Sequence, residues 1–191
     1  MYYAQINSKN ILTCIDTSIL TTDEYGSINV QNIEVAKEYY DNYQLYGNDY
    51  YIYDNGEIVV NPEYETIKLN EAKQAKYNEA LSKAYDYEEN GTVEYKNCVF
   101  EMSKSNRDNL RDTVDALVAT GQTETTWNDK NDELVILTLE DIQYIRLNLI
   151  LGNIQKLWIT DYPSYLEQIQ EATTIEEVEA IIIDYEIPAE G

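Results

Sequence analysis

The stretch whose residue types and spacing come nearest to chemistry is TTWNDKNDELVILTLEDI, from Thr125 to Ile142. Counted from Asp129, oxygen-bearing side chains fall at positions 1, 3 and 5 (Asp129, Asn131 and Glu133), and position 12 is Glu140. This is the donor spacing of an EF-hand loop, where hard oxygens surround Ca2+ and a bidentate glutamate completes the shell. Such a loop turns sharply at position 6 and needs glycine there. This chain has Leu134, which heads the β-prone run Leu134-Val135-Ile136-Leu137. Backbone requirements explain the same residues without a metal. TETTW and ELVIL read as two strands, and NDKND as a polar loop whose side chains bond nearby backbone. Thr138 then N-caps a helix, with Asp141 three residues on in an imperfect capping box and Glu140 placed to suit the helix N-terminus. Trp127 reads as a core anchor. No metal or other cofactor is expected.

Other catalytic constellations are sparse. The chain has 36 acidic residues, 13 basic residues and no histidine, for a formal charge of −23. Without histidine, Ser-His-Asp and Cys-His nucleophiles and His-containing zinc sites are excluded. Carboxylate pairs such as Asp86/Glu88 and Glu176/Glu177 leave a glycosidase conceivable, but a chain this acidic produces such pairs by chance. Cys14 and Cys98 are far apart, each in an apolar run, and read as buried free thiols. The acidic balance argues against nucleic acid and anionic membrane surfaces, both of which need clustered Lys and Arg. The longest apolar runs, LVIL and AIII, are too short to insert in a membrane. The N-terminal MYYAQINSKN lacks the features of a secretory signal, so synthesis in a cytosol is expected.

The elements that would position these residues suggest an α+β fold. Residues 1–63 read as a β-hairpin-rich unit. YYAQI and ILTCI flank the polar turn NSKN, and YYIYDNGEIVV is a second hairpin turning at Asp54-Asn55-Gly56. Between them, Ile33, Ala36, Tyr40 and Tyr43 have helical spacing up to Gly47. Residues 64–88 read as a connecting helix with sparse, small apolar positions, and a domain boundary is expected within it. Residues 89–191 read as a helix-rich domain with short antiparallel strands. There, Ser105-Asn106 is expected to cap a helix with the apolar stripe Leu110, Val114, Leu117 and Val118, ending near Gly121. A long apolar helix is expected from Leu139 to Ile159, a separate short helix from Asp161-Tyr162-Pro163, and a last one capped by Thr174 and Glu177.

The order from Ile67 to Glu186 resembles a domain of unknown function found at the C-terminal ends of bacteriophage tail-fibre and tail-associated proteins. The residues carrying the resemblance are the Ala/Lys/Glu-rich helix, FEMSKSNRDNLRDTV, the tryptophan strand TTWNDKNDELVILT, a long helix ending in LW, and IQEATTIEEVEAI. That family often carries a histidine, which is missing here. The opening MYYAQIN is similar to the β-rich starts of small phage tail proteins. The resemblance implies a non-enzymatic structural component of a phage tail or baseplate, attaching or supporting receptor-binding fibres, located in the virion and made in the host cytoplasm. Its partners would be other tail or fibre proteins in a multimeric assembly. Two alternatives are a tail-fibre assembly chaperone absent from the mature particle and a carboxylate-based cell-wall glycosidase. The charge favours a basic or polar partner face. Tyr39, Tyr40, Tyr43, Tyr46, Tyr50, Tyr51 and Tyr53 are the candidate contact residues, because tyrosine combines an apolar ring with a polar tip. A/T-rich coding would also enrich tyrosine, isoleucine and asparagine.

Overall fold

In the computed structural model, residues 1–22, 26 and 30–185 are described. Glu186, where the resemblance ends, lies outside them. The chain divides into two units, Met1–Glu71 and Ala72–Gly191.

In the first unit, β1 (Tyr2–Ile6) and β2 (Leu12–Asp16) pair antiparallel. Asn7 closes their turn by accepting from Lys9 N and Ile11 N, each at 3.0 Å, while Asn10 takes a positive φ of 60°. β3 (Gln31–Val35) pairs with the other edge of β1, giving the order β2-β1-β3. This corrects the sequence reading, which begins a helix at Ile33. The β-branched Ile33 and Val35 instead satisfy the second edge of a strand buried from Ala4 to Ile6. Helix α1 (Lys37–Tyr46) starts only after Ala36, whose ψ of 156° is extended. β4 (Tyr51–Asp54) and β5 (Glu57–Val60) form the second hairpin. Asn55 and Gly56 both have positive φ, the tight-turn geometry whose twist matches that of the strands. Ala4, Ile15 and Tyr51 centre the core, with Leu12, Ile33, Val35 and Ile58 against them.

Helix α2 (Tyr64–Asn90) contains the division between the units. In the second unit its small residues have a packing role. Ala80 and Ala84 are fully buried against Leu157, Ile169, Ile183 and Tyr185. A side chain no larger than methyl lets the Tyr185 hydroxyl donate to the Ala80 carbonyl at 3.1 Å. β6 (Thr92–Tyr95) and β7 (Cys98–Glu101) make a hairpin. Helix α3 (Lys104–Thr120) is capped by Ser103 rather than Ser105, its side chain accepting from Asn106 N, and ends at left-handed Gly121. Of the expected stripe, Leu110 and Leu117 are buried, but Val118 is 63% exposed.

β8 (Glu124–Asn128) and β9 (Leu134–Thr138) form the last hairpin. A helical run then extends from Leu139 to Glu171 as α4 (Leu139–Tyr144), a π-turn segment (Ile145–Ile150), α5 (Leu151–Lys156), a second π segment (Leu157–Asp161) and α6 (Tyr162–Glu171). The expected break at Asp161-Tyr162-Pro163 does not occur. The wider π turn ends two residues before Pro163, whose ring and missing N–H would disturb a regular ladder over the preceding turn. α7 (Ile175–Ala180) follows, with the full Thr174/Glu177 capping box. Phe100, Met102, Leu110, Leu137, Ile142, Ile145 and Ile150 form an apolar core between the hairpins and the helices. No helix among the described residues is long and apolar enough to cross a membrane.

Candidate functional site

The loop that resembles a calcium site is held by backbone. Asp129 is 6% exposed. Its Oδ1 accepts from Asn131 N at 2.8 Å and Glu133 N at 2.9 Å, and its Oδ2 accepts from Val99 N at 3.0 Å. Lys130 N donates to the Val99 carbonyl at 2.9 Å, so the loop docks on the free edge of β7. The Val99 and Glu133 N–H groups hold the Asp129 carboxyl below the usual carboxylate range, against the effect of burial. Among the described residues, no three Asp, Glu, Cys or His side chains gather in a way that could hold a metal ion.

The most perturbed carboxylate lies one helix turn beyond β9. Asp141 completes the capping box, accepting from Thr138 N at 3.0 Å while Thr138 Oγ1 accepts from Asp141 N at 3.2 Å. The β6–β7 hairpin delivers two more donors, the Tyr95 hydroxyl at 2.7 Å and Lys96 Nζ at 2.8 Å. Burial works against the charge, but Lys96, the Thr138 N–H and Tyr95 together hold the carboxyl well below its ordinary range. The same hydrogen bond raises the Tyr95 hydroxyl. The result is an acceptor held ionised at neutral pH that joins a hairpin tip to a helix start.

The carboxylates considered for acid pairs are similarly engaged. Glu88 accepts from Arg107 Nη2 at 3.0 Å and from the Trp158 indole N–H at 2.8 Å. Asp86 accepts from Asn90 at 2.7 Å. Glu177 accepts from Thr173 N at 2.6 Å and from Thr174 N at 3.2 Å, whereas Glu176 is exposed in the first turn of α7. The capping-box spacing marks the Thr138–Asp141 pair, but not the Tyr95 and Lys96 donors to Asp141 or the Glu88 cluster. Lys96 lies 45 residues from Asp141 and Trp158 lies 70 from Glu88, and no short-range pattern marks them.

The candidate tyrosines occupy different positions. Tyr51 is buried at the centre of the first core, so it is not available as a contact residue. Tyr39, Tyr40, Tyr43 and Tyr50 pack against that core. Tyr39 and Tyr51 have ring centroids 5.1 Å apart, and Tyr43 donates to Asn48 at 2.6 Å. Tyr53 is half-buried and donates to Gln31 at 3.3 Å. Tyr46 is 40% exposed and stacks on Tyr50 at 4.4 Å. Trp127 is half-buried rather than enclosed. It packs on the second core and also lines an open groove beside α3.

Sequence reasoning also missed a set of exposed apolar side chains. On the outer face of the β8–β9 hairpin, Leu134 is 75% and Ile136 is 63% exposed. They alternate with the inward Val135 and Leu137, as strand geometry requires. Leu147, Leu151 and Ile159 are exposed along the helical run. The chain matches no protein-family model, no curated protein and no solved structure.

Proposed function

We propose that this chain is a non-enzymatic structural component of a bacteriophage or phage-like tail or baseplate, attaching or supporting a receptor-binding fibre. The observation that carries this reading is the order of segments between Ile67 and Glu186, ending in the capped IQEATTIEEVEAI segment. Two features of the fold support it. The most strongly held carboxylates, Asp129 and Asp141, serve backbone and hairpin tips. Leu134 and Ile136 form an apolar surface of the kind that subunit contacts use. A formal charge of −23 favours a basic or polar partner face. Immunogold electron microscopy of purified particles, with an antibody against the chain, tests the assignment. Label confined to the tail or baseplate is the expected result. Particles without label, alongside label in infected-cell lysates, would instead favour an assembly chaperone.

A further inference from the structure

We propose that the groove between α3 and the β8–β9 hairpin is a binding site for a neutral saccharide. The groove has a volume of about 660 Å³ and is open to solvent. Asn109, Asp112 and Thr113 line it from α3, Gln122 from the turn, and Thr125 and Trp127 from β8. Thr125 and Trp127 share the inner face of β8, opposite Leu137 and Val135, which fixes the indole against the core. The indole therefore offers a preorganised apolar surface, the kind of platform on which the C–H face of a sugar ring stacks.

The polar groups around it suit hydroxyls. The side-chain amides of Asn109 and Gln122 make no hydrogen bond among the described residues and stand exposed at the rim. Each amide carries both donors and an acceptor, as alternating sugar hydroxyls require. Thr113 Oγ1 donates to the Asn109 carbonyl at 2.8 Å, which leaves its lone pairs free to accept. No Lys or Arg lines the groove, its carboxylate, Asp112, accepts from the neighbouring Arg111 Nε at 3.1 Å and Nη2 at 3.0 Å, and its helix wall runs from Asn109 to Thr120 of α3. With Asp112 already paired to Arg111 and no cation in the lining, the groove offers an anionic ligand no counter-charge. The apolar lining is limited to Trp127, Leu117 and Ala116, too little to hold a lipid or an apolar peptide side chain.

The test applies the full chain to an array of neutral oligohexoses and N-acetylhexosamine oligomers, with sialylated, sulfated and phosphorylated glycans as the anionic arm. Retention of neutral glycans alone is expected. Calorimetry with the retained glycan should show affinity falling about tenfold for Asn109→Ala and for Gln122→Ala, the loss of roughly one hydrogen bond each. Binding should be lost in Trp127→Ala. Because Trp127 also packs on the core, the two rim variants, which should melt like the parent, keep the test independent of folding. No retained neutral glycan, a preference for anionic glycans, or binding unchanged in the rim variants would overturn the proposal.

Discussion

Replacing Asp141 with alanine removes one carboxylate that serves three partners. Losing its acceptor for Thr138 N–H breaks half of a capping box, worth about 1 kcal/mol. The Tyr95 hydroxyl loses a charge-assisted bond of 2.7 Å at a largely buried acceptor, worth about 1.5–3 kcal/mol. Lys96 is half exposed and can turn to water, so its share is about 0–1 kcal/mol. Together these predict a loss of about 2.5–5 kcal/mol, or roughly 5–20 °C in Tm for a chain of this size. The pH dependence has a definite sign. The folded carboxyl lies below its ordinary range, so the unfolded chain takes up the proton first. The contribution is complete at neutral pH and is lost as the pH falls below about 4. Urea unfolding of parent and Asp141→Ala should therefore show the full difference at pH 7, and a gap narrower by about 1 kcal/mol at pH 3. A loss under about 1 kcal/mol at neutral pH, or a gap that does not narrow in acid, would refute the assignment of these hydrogen bonds.

Four other substitutions probe separate parts of the structure. Gly91→Ala should destabilise by about 1–3 kcal/mol in the same assay. A Cβ there would overlap the Tyr87 carbonyl oxygen and approach Met102 Cε to 3.1 Å. Tyr51→Ala should cost about 3–5 kcal/mol because the ring is enclosed. Tyr46→Ser should cost about 1 kcal/mol, the stacking on Tyr50, so thermal melts of the two separate core tyrosines from surface ones. Asp129→Ala should loosen the β8–β9 loop and cost about 2–4 kcal/mol through its three backbone bonds. The parent should bind Ca2+ at this loop no tighter than about 100 μM by calorimetry.

Much of the fold follows from short-range signals. The Asn55-Gly56 turn, the Thr138 and Thr174 caps and the Gly121 stop all depend on residues within four positions, and the sequence reading places each of them. The failures have longer-range causes. Ile33 and Val35 form a strand because β1 has a second edge to satisfy, which helical spacing at Ile33, Ala36, Tyr40 and Tyr43 does not reveal. Pro163 signals a break, but a π turn accommodates it within a continuous helical run. Tyrosine density along the chain does not distinguish Tyr51, in the core, from Tyr46, at the surface. The groove residues Asn109, Gln122 and Trp127 meet only after α3 folds against β8, so no linear motif marks them.

The proposed place of the chain in a tail or baseplate is tested most directly by its copy number in purified particles, measured by quantitative mass spectrometry with isotope-labelled peptides. A structural component is predicted to be present in a fixed, whole-number ratio to other tail proteins and to survive washing in high salt. Absence from the particles, or a variable trace well below one copy per particle, would contradict the account.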